Sequence, residues 1–465
     1  MFEQFRVIHF VGIGGIGMSG IAEVLQNLGY EVTGSDVRES DNTRRLRGMG
    51  VRIYIGHRPE NVDSAHVVVI SSAVGEDNVE VLEARRRSIP VIPRAEMLAE
   101  LGRLKYSILV AGAHGKTTTT SLIAAVVSGA GLDPTVVIGG RLKATGSNAR
   151  LGQGDFLIAE ADESDGSFLK LSPTIALATN IDREHMDYFK NMETLCNAFR
   201  EFLDKVPFYG VSILCADNPY LKRIAGSLTR KYITFGLSQE ADVRACDVRA
   251  DGLGMSFGVT GVAGYRGEFR IPLVGAHNVL NALSAICVAS ELRIDAETVR
   301  DALAAFSGVQ RRFEFKGEFS GARVYDDYAH HPTEIRATIG SVGSAVKGRF
   351  IVVFQPHRYS RTRELMQEFV DSFDGVDLLY LMDIYPAGEE PIRGVSSEVL
   401  YRGLKGRLKG VRYIRDRDEL VSDISAELRD GDLLLTLGAG DVWRVGEAVL
   451  KDGMVGVADR EGLNR

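Results

Sequence analysis

A chain of 465 residues is too long for a single hydrophobic core, and its length favours about three domains. Hydrophobic residues make up 45% and charged residues 25%, which is typical of a soluble globular protein. The net charge of −7 argues against a general binder of nucleic acid or of membrane surfaces, so we expect neither partner.

The cysteines and the hydropathy pattern predict the compartment. The four cysteines show no CxxC spacing, which indicates reduced thiols instead of a disulfide framework or a zinc site. Glycines interrupt the N-terminal apolar run too early for a signal peptide. The sequence contains no apolar stretch of about 18 residues, the length needed to span a membrane. We therefore expect a cytoplasmic protein, and its state as monomer or homodimer stays open.

Strands and helices alternate along the first hundred residues. Apolar runs predict strands at 6–11, 31–34 and 67–70, and amphipathic segments predict helices at 18–28 and 80–87. This alternation is typical of a parallel sheet whose strands are joined by crossover helices. Residues 1–102 are therefore predicted to form a Rossmann-like N-terminal domain.

Two further series of the same kind follow. The second includes predicted strands at 107–110, 156–159 and 174–179, and the third includes strands at 350–354, 378–381 and 433–437. Each series is long enough to form its own sheet. The prediction is an α/β protein with three domains, in which a central domain spans 103–308 and a Rossmann-like C-terminal domain spans 309–465.

A first glycine loop, Gly12–Gly17, matches GxGxxG between a predicted strand and a predicted helix. Glycines allow a tight turn and let backbone N–H groups approach a pyrophosphate at the helix N-terminus. Asp36 ends the next strand, where an acid would bind a ribose hydroxyl. The motif favours a dinucleotide and first suggests an NAD-dependent oxidoreductase, although a tight turn without a ligand has the same pattern.

A second glycine loop follows the strand at 107–110. Lys116 is placed to meet β- and γ-phosphate charge, Gly115 allows close backbone approach, and the Thr117 hydroxyl can bind Mg²⁺. The strict Walker pattern fails because Val110 stands where the first glycine should be, and Gly112 makes a shorter loop instead. This loop predicts that the central domain is a P-loop-type ATPase domain. Both loops together indicate an ATP-driven reaction on a molecule that carries a pyrophosphate. A simple oxidoreductase would leave the second loop without a task.

Four acids cluster after the strand at 156–159, within Glu160–Asp165. Carboxylates crowded in this way need a cation, and oxygen ligands suit Mg²⁺, although a solvated acidic loop is the simpler interpretation by composition alone. His185 follows the next strand, and by residue type alone it is a polar loop histidine.

These segments and several others resemble the Mur ligases of peptidoglycan synthesis, in the family's order and over essentially the whole chain. The matching segments are AGAHGKTTTT, EADESDGSF, TNIDREHMDYF, GAHNVLNALSA, GVQRRF, DDYAHHPTE and QPHRYSRTR. The resemblance is nearest to the branch that joins L-alanine to the lactoyl carboxylate of UDP-N-acetylmuramate through an acyl phosphate, with ATP and Mg²⁺. The branch that attaches a tripeptide tends to carry tyrosine where this chain has Ser164. A non-catalytic nucleotide-binding regulator is another alternative, but it would give the acidic cluster no function.

The resemblance implies a nucleotide site shared by the central and C-terminal domains. The residues implied to bind ATP are Gly112, His114, Gly115, Lys116, Thr117, Thr118, His277, Asn278, Asn281, Arg312 and Asp327. Those implied to bind Mg²⁺ are Thr117, Glu160 and His185. The residues implied to take part in catalysis are Lys116, Glu160, His185, His330, His357, Arg358 and Arg361. Either His330 or His357 would accept the proton of the amine, and the sequence does not decide which.

The resemblance also implies the two substrate sites. The amino acid would contact Tyr328, His357, Arg358 and Arg361. The N-terminal domain would bind the UDP-sugar instead of NAD, through Gly14, Gly15, Ile16, Gly17, Met18, Ser19, Asp36, His57, Ser71, Ser72 and Ala73. The choice among L-alanine, glycine and L-serine stays open, because it depends on packing.

Overall fold

The computed structural model describes residues 6–71, 73–102, 105–139, 149–343, 346 and 348–462, with the backbone alone for Asp187 and 453–462. The chain divides into two compact units. The first unit contains the chain up to Val248 together with Ser256–Ile271 and Asn278–Ser307, and the second contains Arg249–Met255, Pro272–His277 and the chain from Gly308 onward.

A five-stranded parallel sheet forms the N-terminal part of the first unit. Its strands are β1 (Val7–Val11), β2 (Glu31–Asp36), β3 (Arg52–Ile55), β4 (Val67–Ile70) and β5 (Val91–Pro93). The helices are α1 (Ile16–Asn27), α2 (Asp41–Gly48), α3 (Val79–Arg86) and α4 (Arg94–Gly102). The strand order is β3-β2-β1-β4-β5, so the direction of winding reverses between β1 and β4. Open α/β sheets bind ligands at such a reversal, beyond the carboxyl ends of the strands, and the first glycine loop follows β1 there.

The rest of the first unit is built on a ten-stranded sheet. Its strands are β6 (Tyr106–Ala111), β7 (Thr135–Val137), β8 (Ala149–Arg150), β9 (Phe156–Glu160), β10 (Ile175–Ala178), β11 (Val211–Cys215), β12 (Tyr232–Gly236), β13 (Val243–Asp251), β14 (Gly254–Thr260) and β15 (Glu268–Ile271). Its helices are α5 (Lys116–Gly129), α6 (Met186–Phe189), α7 (Met192–Asp204), α8 (Pro219–Ala225), α9 (Ala276–Glu291) and α10 (Ala296–Ala304). The buried strand β6 pairs in parallel with β9 and β10. This order brings the segments after all three strands to one edge of the sheet.

A six-stranded sheet forms the core of the second unit. Its strands are β16 (Glu314–Phe319), β17 (Ala322–Asp327), β18 (Phe350–Phe354), β19 (Leu378–Leu381), β20 (Val411–Tyr413) and β21 (Leu433–Leu437). The helices are α11 (Pro332–Val342), α12 (Tyr359–Glu364), α13 (Met366–Val370), α14 (Ser397–Lys405), α15 (Arg417–Glu427) and α16 (Trp443–Gly462). The order is β16-β17-β21-β18-β19-β20, parallel except for the edge hairpin of β16 and β17. Two apolar clusters of buried side chains contain residues of the central strands.

The predicted α/β class is confirmed, and the apolar strands lie where the sequence places them. The predictions 67–70, 350–354, 378–381 and 433–437 coincide with β4, β18, β19 and β21. The strand predicted at 31–34 continues to Asp36, because Ser35 and Asp36 pair with Tyr54 and Ile55 of β3. The domain boundaries after 102 and 308 stay predictions. Within the described residues, no helix has both the length and the apolar character needed to cross a membrane.

Candidate functional site

The first glycine loop is tied to the end of β2. The N–H groups of Gly12 and Ile13 donate to the Ser35 carbonyl at 2.8 and 3.0 Å, and the Gly14 N–H donates to Oδ2 of Asp36 at 2.9 Å. Gly12 has φ +78°, which glycine adopts without strain. Gly15 precedes α1 without a side-chain cap, as expected for a helix N-terminus that faces an anion. Asp36, predicted to bind the UDP-sugar, therefore also fixes the shape of the loop.

The other residues predicted to bind the UDP-sugar differ in how far they are exposed. Ile16 is about half exposed, whereas Met18 and Ser19 are buried in α1, which leaves them backbone or packing roles. Ser71 lies beside the loop, with its Oγ 3.7 Å from where a Cβ on Gly12 would stand. Ala73 is exposed in the turn after β4, and Ser72 lies outside the described residues.

Arg94 is a residue of this region that the sequence did not single out. A Cβ on Gly17 would overlap its guanidinium group, so the arginine lies directly against the glycine loop. Its Nη2 atom is 3.2 Å from Oδ2 of Asp162 in the acidic segment after β9. The Arg94 guanidinium thus lies between the first glycine loop and the acidic cluster, where it can meet phosphate or carboxylate charge. The only signal in the sequence is a cation at the start of a helix, where acids are favoured.

The second glycine loop holds Lys116 between a carbonyl and a carboxylate. Gly115 precedes α5 with φ +81°, and the Lys116 ammonium donates to the Gly112 carbonyl at 2.6 Å and to both Glu163 oxygens at 2.8 and 3.1 Å. Burial lowers the pKa of Lys116, but the charges of Glu163 and Asp162 outweigh this effect and raise it above its ordinary value. Thr117 and Thr118 lie in the first turn of α5 and are buried. The loop therefore presents a permanently charged ammonium.

The segment after β10 fixes the same loop. The Asn180 amide accepts from the His114 N–H and donates to the His114 carbonyl, both at 2.9 Å. Nε2 of His114 lies 2.9 Å from Oδ2 of Asp182. Helix α9 is joined to the start of α5, because Asn281 accepts from the Thr119 hydroxyl at 3.1 Å.

This places the predicted ATP residues Asn278 and Asn281 near the loop, since the Asn281 amide donates to Asn278 at 3.0 Å. A Cβ on Gly115 would come within 2.7 Å of Oδ1 of Asn281. His277 also belongs to α9. The roles of these three residues toward adenine stay predictions.

The acidic cluster offers oxygen donors of the kind that Mg²⁺ prefers. The charges of Glu163, Asp162 and Glu160 all raise the pKa of Lys116, and the Glu163 carboxylate also accepts hydrogen bonds from its ammonium. Glu160 ends β9 and accepts the Gly139 N–H at 2.7 Å. His185 adopts a left-handed backbone with φ +57°, and its Nε2 lies 3.7 Å from Glu184. Hard oxygen ligands in this number fit Mg²⁺, and His185 fits less clearly by residue type.

In the second unit, the two arginines of the RRF segment have separate tasks. Arg311 donates to Asp326 at 2.9 Å and to the Gly438 carbonyl at 2.5 Å, so it joins its own segment to the end of β17 and to the loop after β21. Arg312, the predicted nucleotide residue, lies 3.8 Å from Glu334 and over the ring of Tyr328. The sequence did not single out Arg311, because adjacent arginines look equivalent without their contacts.

Asp327, also predicted to contact the nucleotide, is buried at the end of β17. Its carboxylate accepts the N–H groups of Phe313 at 2.6 Å and Ala329 at 2.7 Å. Burial raises the pKa of Asp327 to about 6, although Arg312 and the two N–H groups act in the opposite direction. The carboxylate therefore titrates close to neutral pH.

The residues predicted to contact the amino acid form one cluster around two histidines. The ring centroids of His330 and His357 are 5.7 Å apart, and Tyr328 packs edge-on against His330. The Arg361 guanidinium lies 3.4 Å from Nδ1 of His357. Arg358 has φ +71°, a strained conformation for this residue type that is held by its N–H bond to the Tyr385 carbonyl at 2.8 Å.

Both imidazoles of this cluster are held neutral. Burial lowers the pKa of His330 to about 3 and that of His357 to about 4, and the positive charge of Arg361 adds to the effect in each case. A neutral imidazole can accept a hydrogen bond from an ammonium group. A pKa this low means that neither histidine keeps the proton for long.

Three family models match successive parts of the chain. The model described as "Mur ligase family, catalytic domain" matches residues 7–106, "Mur ligase middle domain" matches 110–289, and "Mur ligase, glutamate ligase domain" matches 311–440. The chain is 57% identical over 453 residues to the UDP-N-acetylmuramate–L-alanine ligase of Geobacter sp. (strain M21). That match covers 97% of this chain and 98% of the relative.

Solved structures show the same architecture. The UDP-N-acetylmuramate–alanine ligase of Thermotoga maritima aligns with a TM-score of 0.83 and 28% identity, covering 97% of this chain and 99% of that one. A murein peptide ligase of Psychrobacter arcticus shares the fold, with a TM-score of 0.71, 23% identity and coverage of 96% and 98%.

Proposed function

Because this chain belongs to the Mur ligase family, we propose that it joins L-alanine to the lactoyl carboxylate of UDP-N-acetylmuramate at the expense of ATP. The product is a precursor of peptidoglycan. The structural observation that supports the proposal best is Lys116, which is held on the phosphate loop by Gly112 and Glu163 and whose charge is further favoured by Asp162 and Glu160. This arrangement provides both a cation for phosphate oxygens and oxygen ligands for a metal ion.

The reaction needs ATP because a carboxylate and an amine do not condense in water. The lactoyl carboxylate attacks the γ-phosphorus, the bond to the β-phosphate oxygen breaks, and ADP leaves an acyl phosphate behind. Such a transfer depends on charge neutralisation and in-line placement. Lys116 neutralises phosphate charge on the side of the loop. Thr117, Glu160 and His185 would hold Mg²⁺, which supplies further neutralisation of phosphate charge.

The second step forms the amide. The neutral amino group of alanine attacks the acyl carbon, and inorganic phosphate leaves from the tetrahedral adduct. Arg358 and Arg361 bind the carboxylate of the amino acid, a task that suits the planar guanidinium. His330 or His357 accepts a hydrogen bond from the ammonium and passes its proton onward, since both imidazoles are neutral. The cytoplasm, where ATP is available, is the compartment that fits this reaction.

The proposal is tested by phosphate release with ATP, Mg²⁺ and UDP-N-acetylmuramate. The acceptor is varied among L-alanine, glycine, L-serine and the tripeptide of the recycling branch, with Lys116→Met as the inactive control. Release that depends on L-alanine supports the proposal. Phosphate release that depends on the tripeptide would assign the protein to the branch of the family that attaches a tripeptide. If folded protein releases no phosphate with any acceptor, a ligase function is refuted.

A further inference from the structure

A buried carboxylate lies behind the predicted UDP-sugar site and takes no part in the chemistry above. Glu80, in the first turn of α3, is fully buried. Its oxygens accept from Ser35 Oγ at 2.5 Å, from Asn61 Nδ2 at 2.5 Å and from the Arg58 N–H at 3.3 Å. The Nδ1 atom of His57 lies 3.2 Å away, and Nε2 of His9 lies 3.6 Å away. One side chain thus gathers groups from β1, β2 and the segment after β3.

Among the described residues, no lysine or arginine side chain forms an ion pair with this carboxylate, and it is nevertheless ionised. Burial raises the pKa of Glu80, but the interactions with His9, Ser35 and Asn61 outweigh it and lower the pKa to about 2. Within the part of the chain that the structure describes, its ion-pair partners are two histidines. Glu23, an acid of the same sheet region whose side chain is 12% exposed, pairs instead with Arg45. A buried carboxylate that accepts from donors on several segments fixes the orientation of those donors.

The hydrogen bonds around His57 determine which ring nitrogen carries its proton. Nδ1 of His57 lies 3.0 Å from Ser35 Oγ and 3.2 Å from Oε2 of Glu80. The Ser35 hydroxyl already donates its proton to Glu80, and an ionised carboxylate can only accept. Nδ1 must therefore be the donor. In the neutral ring this leaves the lone pair on Nε2, and the His57 side chain is 21% exposed.

We propose, on the basis of the proposed function, that Glu80 is a positioning residue that fixes His57 as the Nδ1–H tautomer. Nε2 of His57 then accepts a hydrogen bond from a donor on the uridine part of the UDP-sugar, either a ribose hydroxyl or the imide N–H of uracil. The lone pair on Nε2 of His57 disfavours binding of the pyrophosphate at this position, because the pyrophosphate oxygens are hydrogen-bond acceptors only. The first glycine loop and Arg94 are left to bind the pyrophosphate.

The tautomer is observed directly in the unmodified protein. Protein labelled with ¹⁵N-histidine is examined by NMR at alkaline pH, where the ¹⁵N chemical shifts show which ring nitrogen carries a proton, and His57→Gln identifies the His57 signal. The expected result is a protonated Nδ1 and an unprotonated Nε2. A protonated Nε2 in the wild-type protein overturns the proposal, whatever the variants do.

The positioning role is tested by Glu80→Gln, with Glu23→Gln as the matched control in the same domain. Loss of one oriented hydrogen bond to the substrate should raise the KM for the UDP-sugar about tenfold and leave the KM for ATP within about twofold. The NMR signal of His57 should lose its single tautomer at the same time. Equal losses with both variants, or unchanged kinetics with Glu80→Gln, would refute the role. If the wild-type protein releases no phosphate, the proposed function is refuted instead. The NMR measurement of the His57 tautomer still tests the role of Glu80 in that case.

Uridine analogues separate the two donors. UDP, deoxy-UDP analogues that lack one ribose hydroxyl, and N3-methyl-UDP are compared as competitors of the UDP-sugar. Wild-type protein should bind the analogue without the relevant donor about tenfold more weakly than UDP, and Glu80→Gln should reduce this difference. Equal binding of every analogue by the wild-type protein contradicts the proposal.

Discussion

Replacing Lys116 by Met should damage stability as well as catalysis, because its charge partner is buried. The Glu163 side chain is 2% exposed and the Lys116 side chain 17% exposed, so the pair is shielded from water. Removing the cation leaves the carboxylate without compensation, which costs about 3–5 kcal/mol in buried pairs. Glu163→Gln should cost less, because Asp162 and Glu160 still attract the ammonium.

The double variant Lys116→Met/Glu163→Gln distinguishes the two effects. With both charges removed, stability should return to within about 1–2 kcal/mol of the wild-type value, while ATP turnover stays absent. UDP-sugar binding should be nearly unchanged in all three variants, because we propose that the first glycine loop binds the UDP-sugar.

The stability measurement has to report on the central sheet. The single tryptophan, Trp443, lies in the second unit, so its fluorescence does not report on Lys116. Hydrogen exchange, followed by mass spectrometry on peptides from β6 and α5, gives the local free energy of opening. If the double variant loses as much protection as the two single variants together, Lys116 and Glu163 are not coupled and the reasoning is wrong.

Three further predictions follow from contacts in the structure. Arg94→Ala should raise the KM for the UDP-sugar by about 10- to 100-fold, because a charge-assisted hydrogen bond to the substrate is lost. Arg94→Lys should recover part of the wild-type KM. An unchanged KM for Arg94→Ala in steady-state kinetics would refute a contact between Arg94 and the UDP-sugar. Gly112→Ala should abolish nucleotide binding, measured with a fluorescent ATP analogue, because φ is +134° and a Cβ would overlap Thr179; binding at wild-type strength would contradict this. The pKa of His330 is about 3 in the folded protein and about 6.5 in an unfolded chain. As the pH falls, the unfolded state therefore binds the proton first. The free energy of unfolding should decrease as the pH is lowered from about 6.5 towards 3. His330→Gln should flatten this dependence in urea unfolding followed by Trp443 fluorescence, and equal slopes would count against it.

The sequence predicts the elements of this fold well where burial is complete. β18, β19 and β21 are continuous apolar runs, and a strand buried on both faces leaves that signature in any context. The edge hairpin of β16 and β17 was not predicted, because β16 (EFKGEF) alternates weakly and contains a glycine. Strand β2 extends past its apolar part because its last two residues pair with β3, a partner that local sequence does not reveal.

The sequence predicts the residues of the two glycine loops, but it does not predict the residues that hold these loops and the histidines in place. Lys116 and Gly115 stand next to each other in a pattern with its own physical meaning. Glu80, by contrast, lies 23 residues after His57 in a helix with ordinary composition, and only the fold brings them together. Arg94 and Glu163 were missed as individual residues for the same reason, since their importance comes from distant partners.

The central claim is that ATP activates the carboxylate of the sugar as an acyl phosphate, and an isotope experiment tests it most directly. UDP-N-acetylmuramate labelled with ¹⁸O in the lactoyl carboxylate is converted with ATP, Mg²⁺ and L-alanine, and the released phosphate is analysed by mass spectrometry. Attack of the carboxylate on the γ-phosphorus predicts one ¹⁸O atom in each phosphate released with amide product. Phosphate that carries no ¹⁸O, released while the amide forms, would contradict the account.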